Sequence, residues 1–206
     1  MIGCYNYTVI LTYIGTVFGF MGIAYTWSGS LRMALICLML AGFCDMFDGK
    51  IASTMKRTKQ EKRFGIQIDS LSDLVCFGVL PAMIGFQCSG GTPLNAFVSA
   101  AYVLCALIRL AWFNVDEEER QDSEEKGREI YLGLPVTTAA LLLPFFAGGA
   151  QLLKLPFDQL CPWLLLVIAA AFITPFRLKK PHALGKIVMV LCGAVALALV
   201  LIGVSV

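Results

Sequence analysis

Residues 94–115 read LNAFVSAAYVLCALIRLAWFNV, a stretch in which Arg109 is the single charged residue. A helix of about 20 apolar residues crosses the ~30 Å hydrocarbon core of a bilayer. Because backbone polar groups inside a bilayer must find partners within the chain, such a stretch favours a helix over irregular structure. Residues 94–115 therefore predict a transmembrane helix that carries one ionisable residue at membrane depth.

The same kind of segment recurs along the whole chain. Hydrophobic residues make up 58% of the 206 residues and charged residues 15%, against about 45–50% and 25% in soluble proteins. This composition excludes a soluble globular domain. Apolar segments occupy residues 7–27, 31–47, 66–87, 94–115, 131–151, 161–176 and 184–206. We expect one all-α domain over residues 1–206, a polytopic transmembrane bundle of six to eight helices, in which the short sixth segment tilts or lies at the interface.

The basic residues distinguish the two sides of this bundle. Of the 16 Lys and Arg residues, 13 lie in the linkers 49–65, 116–130 and 177–186, whereas Arg32 and Lys154 lie in the alternate linkers. By the positive-inside rule the first group faces the cytoplasm. The N-terminus is then inside, and the C-terminus is outside if all seven segments span. No Lys or Arg precedes Arg32, so we expect no cleaved signal peptide.

Four aspartates lie where the second apolar segment ends and the third begins. Asp45 and Asp48 are spaced i,i+3, and Asp69 and Asp73 i,i+4, so each pair occupies one helical face. The intervening loop can fold the two faces together. Carboxylates so close would repel one another unless a cation lay between them. Oxygen ligands without His or thiolate favour Mg²⁺, Mn²⁺ or Ca²⁺, and a pair of such ions suits phosphoryl chemistry.

A simpler interpretation is that these acids mark the membrane surface and pair with the basic linker. The first pair fits that description, but Asp73 lies about two turns into an apolar helix, where a carboxylate predicts function. Gly49, Ala52 and Gly65 lie beside the acids. Small residues let a phosphorylated ligand approach a helix backbone, although helix–helix packing is their commoner role in membranes.

The acids and the small residues form one pattern. Residues 45–52 read DMFDGKIA and residues 65–73 read GIQIDSLSD, which resembles the signature D-x-x-D-G-x-x-A-R … G-x-x-x-D-x-x-x-D of the CDP-alcohol phosphotransferases. The resemblance implies that Asp73 is the base that activates the alcohol and a further metal ligand. The resemblance also implies that Asp45, Asp48 and Asp69 are metal ligands. The residues it implies around the CDP group are Gly49, Ala52 and Gly65.

The chain departs from this signature in two ways. Ser53 stands where the signature has arginine, and the spacer before Gly65 is longer. The missing arginine would have placed a fixed charge near the nucleotide phosphates. A basic residue of the neighbouring loop, Lys50, Lys56 or Arg57, can compensate. Ser53 is therefore predicted to lie with the residues around the CDP group, and Lys50 and Arg57 are predicted to contact the phosphate or the serine.

Further stretches narrow the resemblance. Residues 69–82, 109–115, 133–137 and 176–181 are similar to membrane-embedded bacterial and archaeal phosphatidylserine synthases, and Thr12, Gly15 and Gly19 follow the spacing of their first helix. The resemblance implies transfer of a phosphatidyl group from CDP-diacylglycerol to L-serine, giving phosphatidylserine and CMP. It implies one or two Mg²⁺ or Mn²⁺ ions, with Ca²⁺ also able to bind. It further implies a homodimer in the prokaryotic cytoplasmic membrane, active on the cytoplasmic side, with membrane lipids and no nucleic acid as partners.

Two polar residues of the fourth segment are also candidates. Arg109 is expected to bind a phosphate or the serine carboxylate in bidentate geometry, or to pair with a signature aspartate. Asn114 is expected to contact polar substrate. Two other functions stay open. The same transfer to glycerol 3-phosphate or inositol phosphate would need additional cationic anchors. A cation-coupled transporter would carry acids near mid-membrane and inverted repeats, whereas these acids cluster towards one edge.

Overall fold

Eight α-helices make up most of the computed structural model, which describes residue 3 and residues 6–122, 130–179 and 183–204. In chain order they are α1 Ile10–Trp27, α2 Leu31–Ala52, α3 Lys59–Asp73, α4 Leu80–Cys88, α5 Pro93–Asp122, α6 Ala139–Leu152, α7 Phe157–Ile173 and α8 Ala183–Gly203. A π-helical turn, Leu74–Val79, joins α3 and α4 into one continuous rod. Short 3₁₀ turns at Tyr7–Val9 and Val136–Thr138 precede α1 and α6. The described helices therefore form seven rods, one for each apolar segment, and the all-α bundle is confirmed.

Three stretches of the described chain are long and apolar enough to cross a membrane, namely Tyr7–Trp27, Lys59–Cys88 and Pro93–Glu119. Shorter apolar helices cover Val136–Leu152, Phe157–Ile173 and Val188–Gly203. At a rise of about 1.5 Å per residue, the 17 residues of α7 extend for about 25 Å, less than the hydrocarbon core. The sixth segment is therefore short, as predicted, although it begins at Phe157.

Two linkers differ from expectation. Residues 116–130 are expected to form a linker between two helices, but α5 continues into them as far as Asp122. Residues 123–129 and, in the last basic linker, residues 180–182 lie outside the described part of the chain. A short antiparallel ribbon, β1 Ile130–Leu132 with β2 Arg177–Lys179, also forms in these linkers. It ties the connection before α6 to the connection after α7.

Glycines of α1 let this helix pack closely against both α2 and the α3–α4 rod. A Cβ at Gly19 would lie 2.6 Å from the Cys76 Sγ, and one at Gly22 would lie 2.6 Å from a Leu80 methyl carbon. A Cβ at Gly22 would also lie 3.2 Å from the Cys37 Cβ of α2. A larger residue at either position would have to displace its neighbours, so these glycines favour the close approach of the helices. The contact brings the polar groups of α1 up to the acids of α2 and α3.

The loop between α2 and α3 is held from both ends by the N-terminal segment. Thr58 caps α3 in a reciprocal capping box with Glu61, which satisfies backbone donors at the start of that helix. Asn6 donates from Nδ2 to the Glu61 carboxylate at 3.3 Å. The hydroxyls of Tyr7 and Thr54 are hydrogen-bonded at 3.0 Å. These bonds place the basic loop directly beside the ends of α2 and α3.

Candidate active site

The four aspartates meet where the end of α2 packs against α3. Carboxylate oxygens of Asp45, Asp48 and Asp69 all lie within 4.8 Å of one another. Across the two helices, the Asp48 carboxyl lies next to that of Asp69, and the Asp45 carboxyl lies next to that of Asp73. All four side chains are half-buried. The i,i+3 and i,i+4 spacings thus produce the two facing pairs that the sequence predicts.

The aspartates line a pocket of about 190 Å³, part of it open to solvent, between α1, α2, α3 and the π-turn. The other residues lining it are Leu11, Thr12, Gly15, Ala41, Cys44, Ser72, Cys76 and Phe77. Apart from Thr12 and Ser72 these residues are apolar or small, whereas the acids face one another across α2 and α3.

Helix α1 contributes the hydroxyl that contacts the acids. Thr12 is buried, and its Oγ1 donates a hydrogen bond to Asp48 Oδ2 at 3.4 Å. Thr16 donates to Ser72 Oγ at 2.7 Å, and Ser72 donates to the Thr12 carbonyl at 3.4 Å. This network fixes the rotation of α1 relative to α3. The sequence indicates Thr12 only through its spacing from Gly15 and Gly19.

The donor set fits a hard divalent cation. The three clustered carboxylates supply oxygen ligands only, which suits Mg²⁺, Mn²⁺ or Ca²⁺ better than Zn²⁺. Their mutual proximity is itself an argument, because carboxylates held this close repel one another unless a proton or a cation is shared between them. The acid cluster can therefore hold a metal ion, with Asp73 immediately beside it.

The small residues of the signature lie beside the acids along α2 and α3, although none of them lines the aspartate pocket. Gly49 follows Asp48 in the last turn of α2, and a Cβ there would meet no atom within 4 Å. Ala52 is half-buried one turn on. Gly65 precedes Asp69 by one turn, and a Cβ there would lie 3.0 Å from the Arg57 guanidinium. The α2–α3 loop thus lays Arg57 against the backbone of α3 beside the acids.

Two other predicted residues point elsewhere in the described structure. Ser53 is exposed, and its hydroxyl donates back to the Lys50 carbonyl at 2.6 Å. Lys50 is exposed as well, with its Nζ 5.2 Å from the centre of the Phe47 ring. Neither side chain lines the aspartate pocket.

Arg109 and Asn114 lie on α5, outside the residues that line the pocket. Arg109 is only 8% exposed, and its Nε donates to the Leu134 carbonyl at 3.2 Å. Asn114 accepts a 2.5 Å hydrogen bond from Ser70, the neighbour of Asp69. Arg109 therefore supports the turn after β1, and Asn114 links α5 to the helix that carries the acids.

The turn that Arg109 supports requires glycine. Gly133 has a φ of +76°, a conformation that glycine adopts readily and other residues rarely. A Cβ there would lie 3.0 Å from the Thr174 carbonyl oxygen. The Gly133 N–H donates to the Phe176 carbonyl at 2.7 Å. The residues 133–137, singled out in the sequence, thus fasten α6 to the end of α7.

Comparison with known proteins agrees with this geometry. A family model described as CDP-alcohol phosphatidyltransferase matches residues 5–196. The chain belongs to the CDP-alcohol phosphatidyltransferase family. The matched range includes the acid cluster of α2 and α3. The apolar helices are those of a polytopic membrane protein.

The names of three curated relatives of this chain refer to serine or to a serine lipid. A CDP-diacylglycerol–serine O-phosphatidyltransferase of Saccharomyces cerevisiae is 40% identical over 108 residues, 51% of this chain and 38% of the relative. An archaetidylserine synthase of Methanothermobacter thermautotrophicus is 32% identical over 138 residues, 66% and 55% of the two chains. A CDP-diacylglycerol–serine O-phosphatidyltransferase of Helicobacter pylori is 30% identical over 141 residues, 68% and 56%. The chain thus spans between about two fifths and somewhat over half of their lengths.

Proposed function

We propose that the protein transfers the phosphatidyl group of CDP-diacylglycerol to the hydroxyl of L-serine, with phosphatidylserine and CMP as products. The observation that carries the proposal is the meeting of four signature aspartates in one pocket at the end of α2 and α3. Family membership and the names of the relatives support a CDP-lipid donor and a serine acceptor.

The metal would be Mg²⁺ or Mn²⁺, as one ion or two, held by the oxygens of Asp45, Asp48 and Asp69 with Asp73 adjacent. Ca²⁺ fits the same ligands. When bound, the metal neutralises charge on the diphosphate and on the departing CMP. Thr12 has a part in this arrangement, because its hydroxyl contacts Asp48 Oδ2 and thereby orients that carboxylate towards Asp45 and Asp69.

Asp73 is proposed as the general base. Of the two aspartates on α3 it lies farther along the helix, and its carboxyl lies next to that of Asp45. It takes the proton of the serine hydroxyl while the hydroxyl oxygen attacks the phosphorus that carries the diacylglycerol. A new O–P bond forms, the P–O bond to CMP breaks, and CMP leaves with the bonding electron pair. Because a carboxylate is a weak base for an alcohol, proton transfer accompanies the attack.

The nucleotide is proposed to lie at the open end of the pocket, along Gly49, Ala52 and Gly65. Arg57 supports this placement, since its guanidinium lies against Gly65, one turn from Asp69. The Ser53 hydroxyl donates to the Lys50 carbonyl, and the Lys50 ammonium lies over the Phe47 ring. We therefore assign the positive charge at the phosphates to Arg57. A guanidinium suits that role because it presents several N–H donors in one plane.

Fewer residues are proposed for the serine side of the site than for the nucleotide side. Asn114, connected to the neighbour of Asp69 through Ser70, is proposed to face the serine. Arg109 as a ligand of phosphate or of the serine carboxylate stays a prediction, as do the homodimer and the cytoplasmic orientation of the site. The acyl chains of the donor would remain in the lipid while its diphosphate reaches the acids.

The test is release of CMP by the purified full-length protein in lipid nanodiscs with CDP-diacylglycerol and Mn²⁺ or Mg²⁺. L-Serine, glycerol 3-phosphate and inositol phosphate are offered in parallel. We expect CMP and phosphatidylserine with serine and background CMP with the two phosphorylated alcohols. CMP formation with either of those alcohols but not with serine would overturn the assignment of the acceptor. CMP formation with none of them would overturn the proposed function.

A further inference from the structure

The rod that carries Asp69 and Asp73 is interrupted directly after Asp73. Between Leu74 and Val79 it turns as a π-helix, and the Leu80 N–H donates to the Val75 carbonyl, five residues back. A π-turn holds one residue more than an α-turn, so it rotates the helix before it relative to the helix after it by about 100°. The turn therefore decides which way the two aspartates face once α4 is fixed in the core.

Proline removes one of the hydrogen bonds that would restore a regular α-helix. Pro81 is fully buried in α4 and has no N–H, so it cannot donate to the Phe77 carbonyl four residues before it. Its ring also crowds that carbonyl, which favours the wider π-turn. A buried carbonyl that loses its helical donor needs another partner.

Tyr102 of α5 supplies that partner. Its hydroxyl donates to the Phe77 carbonyl at 2.9 Å, and the side chain is 0% exposed. The ring packs against Phe172 of α7 with the ring centres 5.5 Å apart, which holds the hydroxyl in place. Phe77 itself lines the aspartate pocket. A residue on another helix thus fixes the backbone four residues after Asp73.

We propose that Tyr102 is a positioning residue of the active site, whose hydroxyl together with Pro81 holds the π-turn that directs Asp69 and Asp73 towards α2. This rests on the proposed function. Leu80 and Ile84 of α4 are fully buried and keep the second half of the rod in the core. If the π-turn closed into an α-turn, the first half would have to rotate, and the aspartates would turn away from Asp45 and Asp48.

Ser99 provides a matched control on the same pair of helices. It is buried on α5, about one turn from Tyr102, and donates to the Ala82 carbonyl at 3.0 Å. Ser99→Ala and Tyr102→Phe each remove one buried hydroxyl from α5 and leave one carbonyl of the rod without that partner. Only Tyr102→Phe removes it from within the π-turn. The phenylalanine keeps the ring contact with Phe172.

The experiment compares wild type, Tyr102→Phe and Ser99→Ala in nanodiscs for thermal stability and for the steady-state kinetics of serine-dependent CMP release. We expect a larger decrease in Tm for Tyr102→Phe, because Pro81 gives the Phe77 carbonyl no helical donor, whereas the Ala82 carbonyl keeps the N–H of its own helix. We expect kcat to fall about tenfold in Tyr102→Phe alone, with KM for CDP-diacylglycerol nearly unchanged, because the nucleotide side of the site lies away from the π-turn. Equal kcat in the two variants would overturn the proposal.

Two further measurements separate this proposal from the proposed function. Mn²⁺ affinity, measured by electron paramagnetic resonance without substrate, should fall in Tyr102→Phe relative to Ser99→Ala, even if wild type releases no CMP. Unchanged Mn²⁺ affinity in a folded Tyr102→Phe would count against a positioning role. Pro81→Ala restores the missing N–H, so it should raise or keep Tm while lowering Mn²⁺ affinity and kcat. A fully active Pro81→Ala would show that the π-turn does not depend on the proline.

Discussion

Two pairs of helices in this molecule pack closely at a glycine, but polar groups flank only one of the two contacts. At Gly19, α1 lies against Cys76 so closely that a Cβ would be 2.6 Å from its Sγ; at Gly148, α6 lies against the backbone of Leu199 in α8 at 2.7 Å. The first contact brings Thr12 and Thr16 to the acids and to Ser72. The second joins apolar faces. Close packing at glycine therefore occurs in more than one part of the bundle. It contributes to the candidate active site only at α1, where polar side chains flank the contact.

The largest effect is expected from the acids next to the first contact. Asp73→Asn should lower kcat by about 10²–10⁴-fold, because a general base contributes that much to the rate, while CDP-diacylglycerol binding is largely kept. Turnover and binding of the radiolabelled lipid are measured on the same preparation. Asp158→Asn, at the exposed start of α7, is the control and should be active. Near-normal turnover of Asp73→Asn would show that another group takes the proton.

The comparison itself is tested by adding the same methyl group at both contacts. Gly19→Ala and Gly148→Ala should each reduce stability by about 1–3 kcal/mol, since overpacking forces the helices apart. Only Gly19→Ala should also lower kcat, because it moves Thr12 away from Asp48. Thermal unfolding and CMP release are compared in the two variants. Equal losses of activity would mean that the α1 contact has no special relation to the site.

A smaller effect is expected at the open end of the pocket. Arg57→Gln should raise KM for CDP-diacylglycerol by about tenfold, the equivalent of losing one charge-assisted hydrogen bond, with little change in kcat. Lys56→Gln, the exposed neighbour, controls for the net charge of the loop. Ser53→Arg in the Arg57→Gln background should restore part of the affinity. If the two glutamine variants had the same KM, the phosphates would be held by other groups.

The smallest effect is expected from the hydroxyl of α1. Thr12→Val keeps the shape of the side chain and removes the 3.4 Å contact with Asp48, which is worth about 0.5–1.5 kcal/mol, or roughly a two- to tenfold loss in kcat/KM. Thr26→Val serves as the control, because Thr26 is buried in the same helix and donates only to its own backbone at Gly22. An identical kcat/KM for both would exclude a role for Thr12.

Much of the site could be predicted because helical spacing is a local property. Asp45 with Asp48, and Asp69 with Asp73, had to share faces once α2 and α3 were helices, and a loop of limited length had to bring the faces together. The number of rods followed in the same way from apolar segments long enough to need a bilayer. The roles of the individual residues are still predictions.

The features that could not be predicted depend on more than one helix. The π-turn after Asp73 leaves the apolar pattern of residues 66–87 intact, and its partner Tyr102 lies on another helix. Arg57 meets Gly65 across the α2–α3 loop, which Asn6 and Tyr7 contact from the N-terminal segment. The Arg109 Nε bond to the Leu134 carbonyl also joins separate elements and could not be read from the sequence, while the predicted role of Arg109 as an anion ligand stays a prediction.

The β1–β2 ribbon has a consequence for biosynthesis. Because β1 precedes α6 and β2 follows α7, the ribbon cannot pair until both helices have left the ribosome, which delivers the chain from its N-terminus. The residues found to line the aspartate pocket lie between Leu11 and Phe77. The helices that line the pocket are therefore made first, and Tyr102 and Phe172, the partners that hold the π-turn beside it, are added later.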